Sequence, residues 1–399
     1  PLDLCLDIQK KIKEKREKIS RIKSLLDSTS EDSRNQLNDE ISVNIDELEK
    51  LKKKLYNCLL PDIMYNKLDE NKLTIALSEE LTELVNPDVE VNLLSKIVQV
   101  RQNLTDELGY VIPEVRPVNG DCLQANEFVI NVRGTQAIKS CCYVGYSMYF
   151  KDELNLAKLP KNTIKDVDPV TGKKIVWIEQ DKTDDFWQKG LDANDYIARL
   201  LDYVAVKYVD EILDYSDMNK YIEIVALSNL FLLENIIPDF VSIGELKYLF
   251  TSLIKERVSV KDVVYVFEKI NDLSTDPTKD DLLCGLRRYL ARNISASLVA
   301  DNGTINLVEL SEKSLKSLTG EKDENSVVKI ESTKIEKILK KINTVLEEKN
   351  LKMKDIAVVL PSNIRQIGFL VLSKFNPEIK VVAREEITTD FPSVVVAEV

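Results

Sequence analysis

The sequence predicts an α+β chain of several subdomains. In order these are a helical coiled-coil hairpin, a ferredoxin-like split βαβ subdomain with a small β insertion, a helical subdomain, and a C-terminal α/β subdomain. Three observations predict it. Two charged helical stripes with apolar residues every three or four positions open the chain, two capped helices follow each other near residue 250, and strand and helix patterns alternate from residue 299 on. With 399 residues, 44% apolar and 31% charged, the chain has material for more than one compact unit and an ample core.

Residues 1–58 hold the two stripes. Ile8, Ile12, Ile19, Ile22 and Leu26 line one face amid KKIKEKREK. After the polar break SLLDSTSEDS, where Ser30 or Asp32 is placed to cap, Leu37, Ile41, Ile45, Leu48, Leu51 and Leu55 repeat the spacing. Helices of this kind are marginal alone, so each needs a partner: an antiparallel hairpin within the chain, or the stripe of another chain. A hairpin brings Cys5 and Cys58 to one end, where a disulfide is geometrically open but not expected. Residues 59–67 read as a linker.

Residues 68–142 with 192–213 predict the split βαβ subdomain. Residues 72–77 (KLTIAL) alternate as a strand, and residues 92–108 form a helix with Leu93, Ile97, Val100, Leu104 and Leu108 on one face, stopped by Gly109. Strands follow at 110–118 and 127–133, and a helix at 195–213 returns with Ile197, Leu200, Leu201, Val204 and Tyr208. Residues 143–191 carry strands at 143–150 and 174–179 and the loop DVDPVTGKK, a stretch that is similar to the small β subdomain a known family inserts at this place.

The helical subdomain, 214–298, centres on residues 241–270. Ser242 with Glu245, and Ser259 with Asp262, each predict a capping box, with Val241–Leu246 and Val258–Val263 as hydrophobic staples and a sharp turn at 255–258 between the helices. Asp276 and Pro277 predict an N-cap and a first-turn proline before a helix at 282–294, on which Arg287, Arg288 and Arg292 make a basic face. From 299 to 399 a turn at Asp301-Asn302-Gly303 leads to a strand at 304–308. A helix at 330–348, a strand at 355–360, a helix capped by Ser362 and running to 375, and strands at 379–383 and 394–397 complete a largely parallel sheet.

Composition excludes several kinds of chemistry. A formal charge of −12 disfavours nucleic acid, and no apolar run reaches the roughly 18 residues a membrane span needs. The opening PLDLCLDIQKK is no signal peptide, and without an initiator Met it reads as a fragment or a processed chain. There is no His, and the six Cys form no C-x-x-C pair, so reduced thiols and no metal site are expected. Asp166, Asp168 and Gly172 only faintly suggest a calcium loop, and Gly172-Lys173 lacks the earlier P-loop glycine, that position being Val167. Trp177 and Trp187 read as core or subunit contacts. No catalytic, cofactor or metal residues are expected, and no enzyme.

The segment SIGELKYLFTSLIKERVSVKDVVYVFEKI resembles the soluble domain of the bacterial type III secretion export-gate family, the large membrane component of flagellar and injectisome export. Leu253, Glu256, Val258, Ser259, Val260, Lys261 and Asp262 fit its "LL-x-E-x-V" helix end and the start of the next helix. Further matches are residues 107–116, residues 126–134, Val167-Asp168-Pro169, Val176-Trp177-Ile178 and residues 365–381, so the resemblance covers roughly 68–399. It implies a cytoplasmic docking and sorting module, or the soluble part of an inner-membrane protein. Such a module assembles as a nine-membered ring, binds chaperone–substrate complexes and the ATPase stalk, and switches which substrates leave. It also implies a native C-terminus, the chain ending where the family ends.

By the same resemblance the partner-docking residues are Asp168, Thr171, Trp177 and Arg199, and Arg287, Arg288 and Arg292 lie in the subdomain that builds the ring. Flagellar members use an Asp, a Phe and a Thr to hold chaperones; here Asp168 is present, Thr171 stands at the Phe position, and Arg199 stands at or near the Thr position. A flagellar-type chaperone is therefore not expected at this place. The charged segment before residue 58 also departs from the family. It is either an enlarged linker below a membrane portion or the mark of a soluble paralogue, a scaffold assembled by its coiled coil with partners unrelated to secretion.

Overall fold

The computed structural model describes residues 2–26, 31–59, 71–89, 91–154, 159–183, 189–275, 281–319, 321–322, 328–329 and 331–399. The chain divides into two compact units, Pro1–Glu70 and Asn71–Val399. The predicted linker (residue 59 apart, which ends a helix), the cap at Ser30, Trp187 and the Asp276-Pro277 helix start lie outside the described residues.

The first unit is a hairpin of α1 (Leu2–Leu26) and α2 (Glu31–Leu59). Ile8, Ile12 and Ile19 pack against Leu48, Leu51 and Leu55. Lys18 pairs with Glu40 at 2.9 Å and Lys15 with Glu47, so the helices run antiparallel and the stripes pair within the chain. One residue differs from the expected seam. Ile45 is 40% exposed, and Asn44, 3% exposed, faces inward instead. Its Oδ1 accepts from Lys15 Nζ at 3.1 Å, making a polar layer of the kind that fixes register in coiled coils. Cys5 is a free thiol.

The second unit begins with a four-stranded sheet. β1 (Leu73–Leu77) runs through α3 (Leu93–Leu108) to β2 (Val115–Asn119), then β3 (Glu127–Val132) and β4 (Thr135–Cys141) form a hairpin. The order is β2-β1-β3-β4, with β1 and β2 parallel and directly bonded. The βαβ unit is therefore not split, contrary to the ferredoxin-like expectation: β3 pairs on the other edge of β1, and the turn at Arg133-Gly134, both at positive φ, sends the chain back as β4. The inserted residues form an antiparallel sheet β5-β7-β6, from β5 (Tyr146–Phe150), β6 (Ile164–Val167) and β7 (Lys174–Glu179). The chain returns in α4 (Ala193–Lys207), N-capped by Asp192, and α5 (Val209–Ile212).

Five helices follow: α6 (Tyr215–Ile236), α7 (Ile243–Lys255), α8 (Val263–Ser274), α9 (Leu282–Tyr289) and α10 (Ala291–Leu298). The Ser242–Glu245 box forms as expected, with bonds of 3.2 and 2.8 Å. The second box does not. Val260 N–H is held by Leu108 O at 2.9 Å, which keeps the chain extended past Ser259, and Asp262 alone caps α8. The predicted helix at 282–294 is two short helices that meet at Leu290, whose backbone (φ −88°, ψ 7°) leaves the helical values.

The last part is a parallel sheet in the order β12-β11-β8-β13, from β8 (Ile305–Glu309), β11 (Ile356–Leu360), β12 (Lys380–Ala383) and β13 (Ser393–Glu398). Helices α11 (Glu312–Thr319), α12 (Ser332–Lys349) and α13 (Ser362–Leu372) belong to it, with a small ribbon of β9 (Glu321–Lys322) and β10 (Val328–Lys329). Ser362 is the first helical residue rather than a cap; its hydroxyl donates to Glu385 at 2.8 Å. One continuous core reaches from the first sheet through the helices to Leu307, Ala357 and Val382, and a second core fills in around Val308, Val358 and Val381.

Candidate functional site

The turn between β6 and β7 is built around one carboxylate. Pro169 and Gly172 close the loop, with Gly172 N–H donating to Asp168 O at 2.9 Å and Asp168 N–H to Lys173 O at 2.9 Å. The side chain of Asp168 is 0% exposed. Thr171 donates to its Oδ2 twice, from the backbone N–H at 2.9 Å and from Oγ1 at 2.6 Å. From α4, Arg199 adds a two-pronged pair, Nη1 to Oδ1 at 2.8 Å and Nη2 to Oδ2 at 3.1 Å. The guanidinium also lies over the Phe150 ring, 5.2 Å from its centroid.

Burial alone would push the Asp168 carboxyl up, but the bonds from Arg199 and Thr171 outweigh it and hold the group below its ordinary value. Burial lowers Arg199, and Asp168 more than restores it, so the guanidinium sits above its ordinary value. The structure thus brings Asp168, Thr171 and Arg199 together, as a satisfied pair with both carboxylate oxygens engaged. An incoming partner meets the rim instead: Val167, Pro169 and Lys173 are exposed.

Trp177 is not on that rim. It is 0% exposed, with Tyr143 and Tyr196 edge-on at 5.6 and 5.2 Å. A partner could touch it only if this aromatic core opened.

The three arginines do not share a face. Arg288 and Arg292 are exposed, the latter 3.7 Å from Asp390. Arg287 is 1% exposed and points into the molecule, because the break at Leu290 and the packing of α9 turn it toward the C-terminal part. There its Nε and Nη2 meet the two oxygens of Glu386, each at 2.7 Å. Glu256 lies 3.3 Å from Arg287 Nη1 and also pairs with Arg365, whose Nε is 3.5 Å from Glu386. All four side chains are between 0 and 6% exposed. Two cations and two anions therefore balance in the interior, where a lone charge would be costly. Phe150 and Glu386 carried no signal in the sequence; Glu256 and Arg365 stood only as motif positions.

Among the described residues no group of His, Cys, Asp and Glu could hold a metal ion, and no helix is long and apolar enough to cross a membrane. The sequence profile of the FHIPEP family matches residues 9–392. The chain belongs to the FHIPEP family. A curated relative, the flagellar biosynthesis protein FlhA of Bacillus subtilis (strain 168), is 24% identical over 307 residues, which cover 74% of this chain and 44% of that protein. This FHIPEP chain thus spans less than half the length of that relative. Two solved structures share its fold. The Chlamydia pneumoniae CdsV and CdsO protein complex gives a TM-score of 0.67 at 17% identity, covering 82% of this chain and 98% of that one. The nonameric EscV cytosolic domain from the type III secretion system gives 0.61 at 16% identity, covering 82% and 96%.

Proposed function

We propose that this FHIPEP chain is the cytoplasmic docking and sorting module of a type III protein-secretion export gate. It assembles as a ring, receives chaperone–substrate complexes and the ATPase stalk, and catalyses nothing itself. The observation that carries the reading is the family match over residues 9–392, which takes in nearly the whole chain. The fold shared with a nonameric export-gate domain supports a ring of nine. The scaffold alternative assigns assembly to residues 1–58, and the apolar stripes there pack on each other within the hairpin, which leaves less apolar surface for pairing between chains.

Docking at the Asp168 turn is narrower in this chain than in flagellar relatives. Arg199 and Thr171 occupy the carboxylate, so a flagellar-type chaperone finds a filled site. Titration calorimetry of a flagellar-type chaperone–substrate complex is expected to show no binding at this turn by the unaltered chain, and binding once Arg199→Thr is combined with Thr171→Phe. Tight binding by the unaltered chain that is lost when Thr171 or Arg199 is replaced by Ala would overturn this part of the reading.

A further inference from the structure

The antiparallel hairpin is electrically lopsided, and its open end has a second feature. Because α1 starts where α2 finishes, residues 2–13 and 50–59 form that end. They carry seven lysines (Lys10, Lys11, Lys13, Lys50, Lys52, Lys53, Lys54) against two aspartates, while the rest of the hairpin, residues 14–49, carries ten acidic residues against six basic ones. All seven lysines are exposed. Lys11 pairs with Asp7 and Lys52 with Glu49; among the described residues Lys10, Lys13, Lys53 and Lys54 form no ion pair. At the same end Leu4, Leu6 and Tyr56 are 55, 53 and 66% exposed. Their apolar surface is not needed for the seam, which is already closed by Ile8, Ile12, Leu51 and Leu55.

We propose that this open end docks on an anionic lipid bilayer. Leucines and a tyrosine near the tip, with lysines behind them along both helices, match the two layers of such a surface. The apolar groups enter the headgroup boundary, Tyr56 sits with its hydroxyl toward water, and the lysines extend to the phosphates. Lysines near an anionic membrane contribute about fivefold in affinity each. The whole chain has a formal charge of −12, so this lysine-rich end runs against the overall balance. An acidic protein segment would use the lysines but leave the exposed leucines and tyrosine unexplained. The proposal stands apart from the export-gate reading, since it needs neither a ring nor a chaperone.

Co-sedimentation of the full chain with vesicles tests it. Binding is expected to phosphatidylglycerol-containing vesicles at low salt, not to phosphatidylcholine alone, and to fall at high salt. Replacing Lys10, Lys13, Lys53 and Lys54 together by Gln is expected to weaken binding by about two to three orders of magnitude with helicity unchanged. The second variant, Leu4→Ser with Leu6→Ser and Tyr56→Ser, is expected to weaken it about tenfold or more. No binding to phosphatidylglycerol vesicles at low salt overturns the proposal, as does binding that ignores both variants. Binding lost with the lysines, kept in the apolar variant and displaced by soluble polyglutamate would assign the end to an acidic protein instead and overturn the lipid assignment.

Discussion

Asp168 and Arg199 leave water together, and removing either strands the other. Arg199→Ala is expected to destabilise the chain by about 2–4 kcal/mol, somewhat below the roughly 3–5 kcal/mol of a fully buried broken pair because the arginine is 28% exposed. Urea unfolding measures it, and a loss under about 1 kcal/mol would contradict the account. The pH dependence has a definite sign. The folded carboxyl sits below its unfolded value of about 3.9, so its contribution is complete above that pH and is lost as pH falls through the lower folded value. Without Arg199 the acid-unfolding midpoint is expected to rise. The interior quartet gives a sharper contrast. Glu386→Ala leaves Arg287 and Arg365 with only Glu256 and is expected to cost about 3–5 kcal/mol. Arg292→Ala, at an exposed side chain 3.7 Å from Asp390, is expected to stay within about 0.5 kcal/mol. Equal costs would mean that the arginines do share one surface after all.

At the scale of elements, the end of α3 organises its neighbours. Gly109 closes that helix at φ +72°, its carbonyl accepts from Tyr221 at 2.8 Å, and a Cβ there would fall 2.5 Å from Lys261 Cα. Gly109→Ala therefore meets both left-handed strain, about 1–2 kcal/mol, and the backbone of the α7–α8 corner. A lowered thermal unfolding midpoint is expected, and an unchanged one would show that the corner does not rest on this glycine. The same contact explains a misreading. Ser259 and Asp262 are both good caps by local chemistry, and only the bond from Val260 to Leu108, some 150 residues away, decides that the helix starts at Asp262. What is local was legible: the Gly109 stop, the Ser242 box, the parallel strands of the last sheet, and the hairpin's stripes apart from Asn44. What is set by distant partners was not. Leu290-Ala291 has good helix-forming residues yet marks a break between two helices, and β4, with only Ile138 of its seven residues buried, is a strand that the sequence reading did not assign. Strand order is likewise absent from periodicity, so an ordinary βαβ unit was read as a split one.

At the scale of the molecule, the site residues divided by how much of their setting was local. Asp168 and Thr171 sit in one turn and are local, whereas Arg199 reaches them from α4, 31 residues on, and was grouped with them only by the family resemblance. Trp177, read as a core or subunit contact and by resemblance as a docking residue, and Arg287, read as part of a basic face, are enclosed by tyrosines and a glutamate that nothing near them in sequence shows. Assembly is the remaining large-scale property. The hairpin's apolar stripes pack on each other, and the export-gate reading expects surfaces of the second unit to build the ring. Native mass spectrometry of the full chain beside residues 71–399, each over a concentration series, tests the export-gate reading most directly. The account expects a ring-sized assembly from both. A small oligomer from the full chain that falls to monomer when residues 1–70 are removed would contradict it, and would assign assembly to the coiled coil.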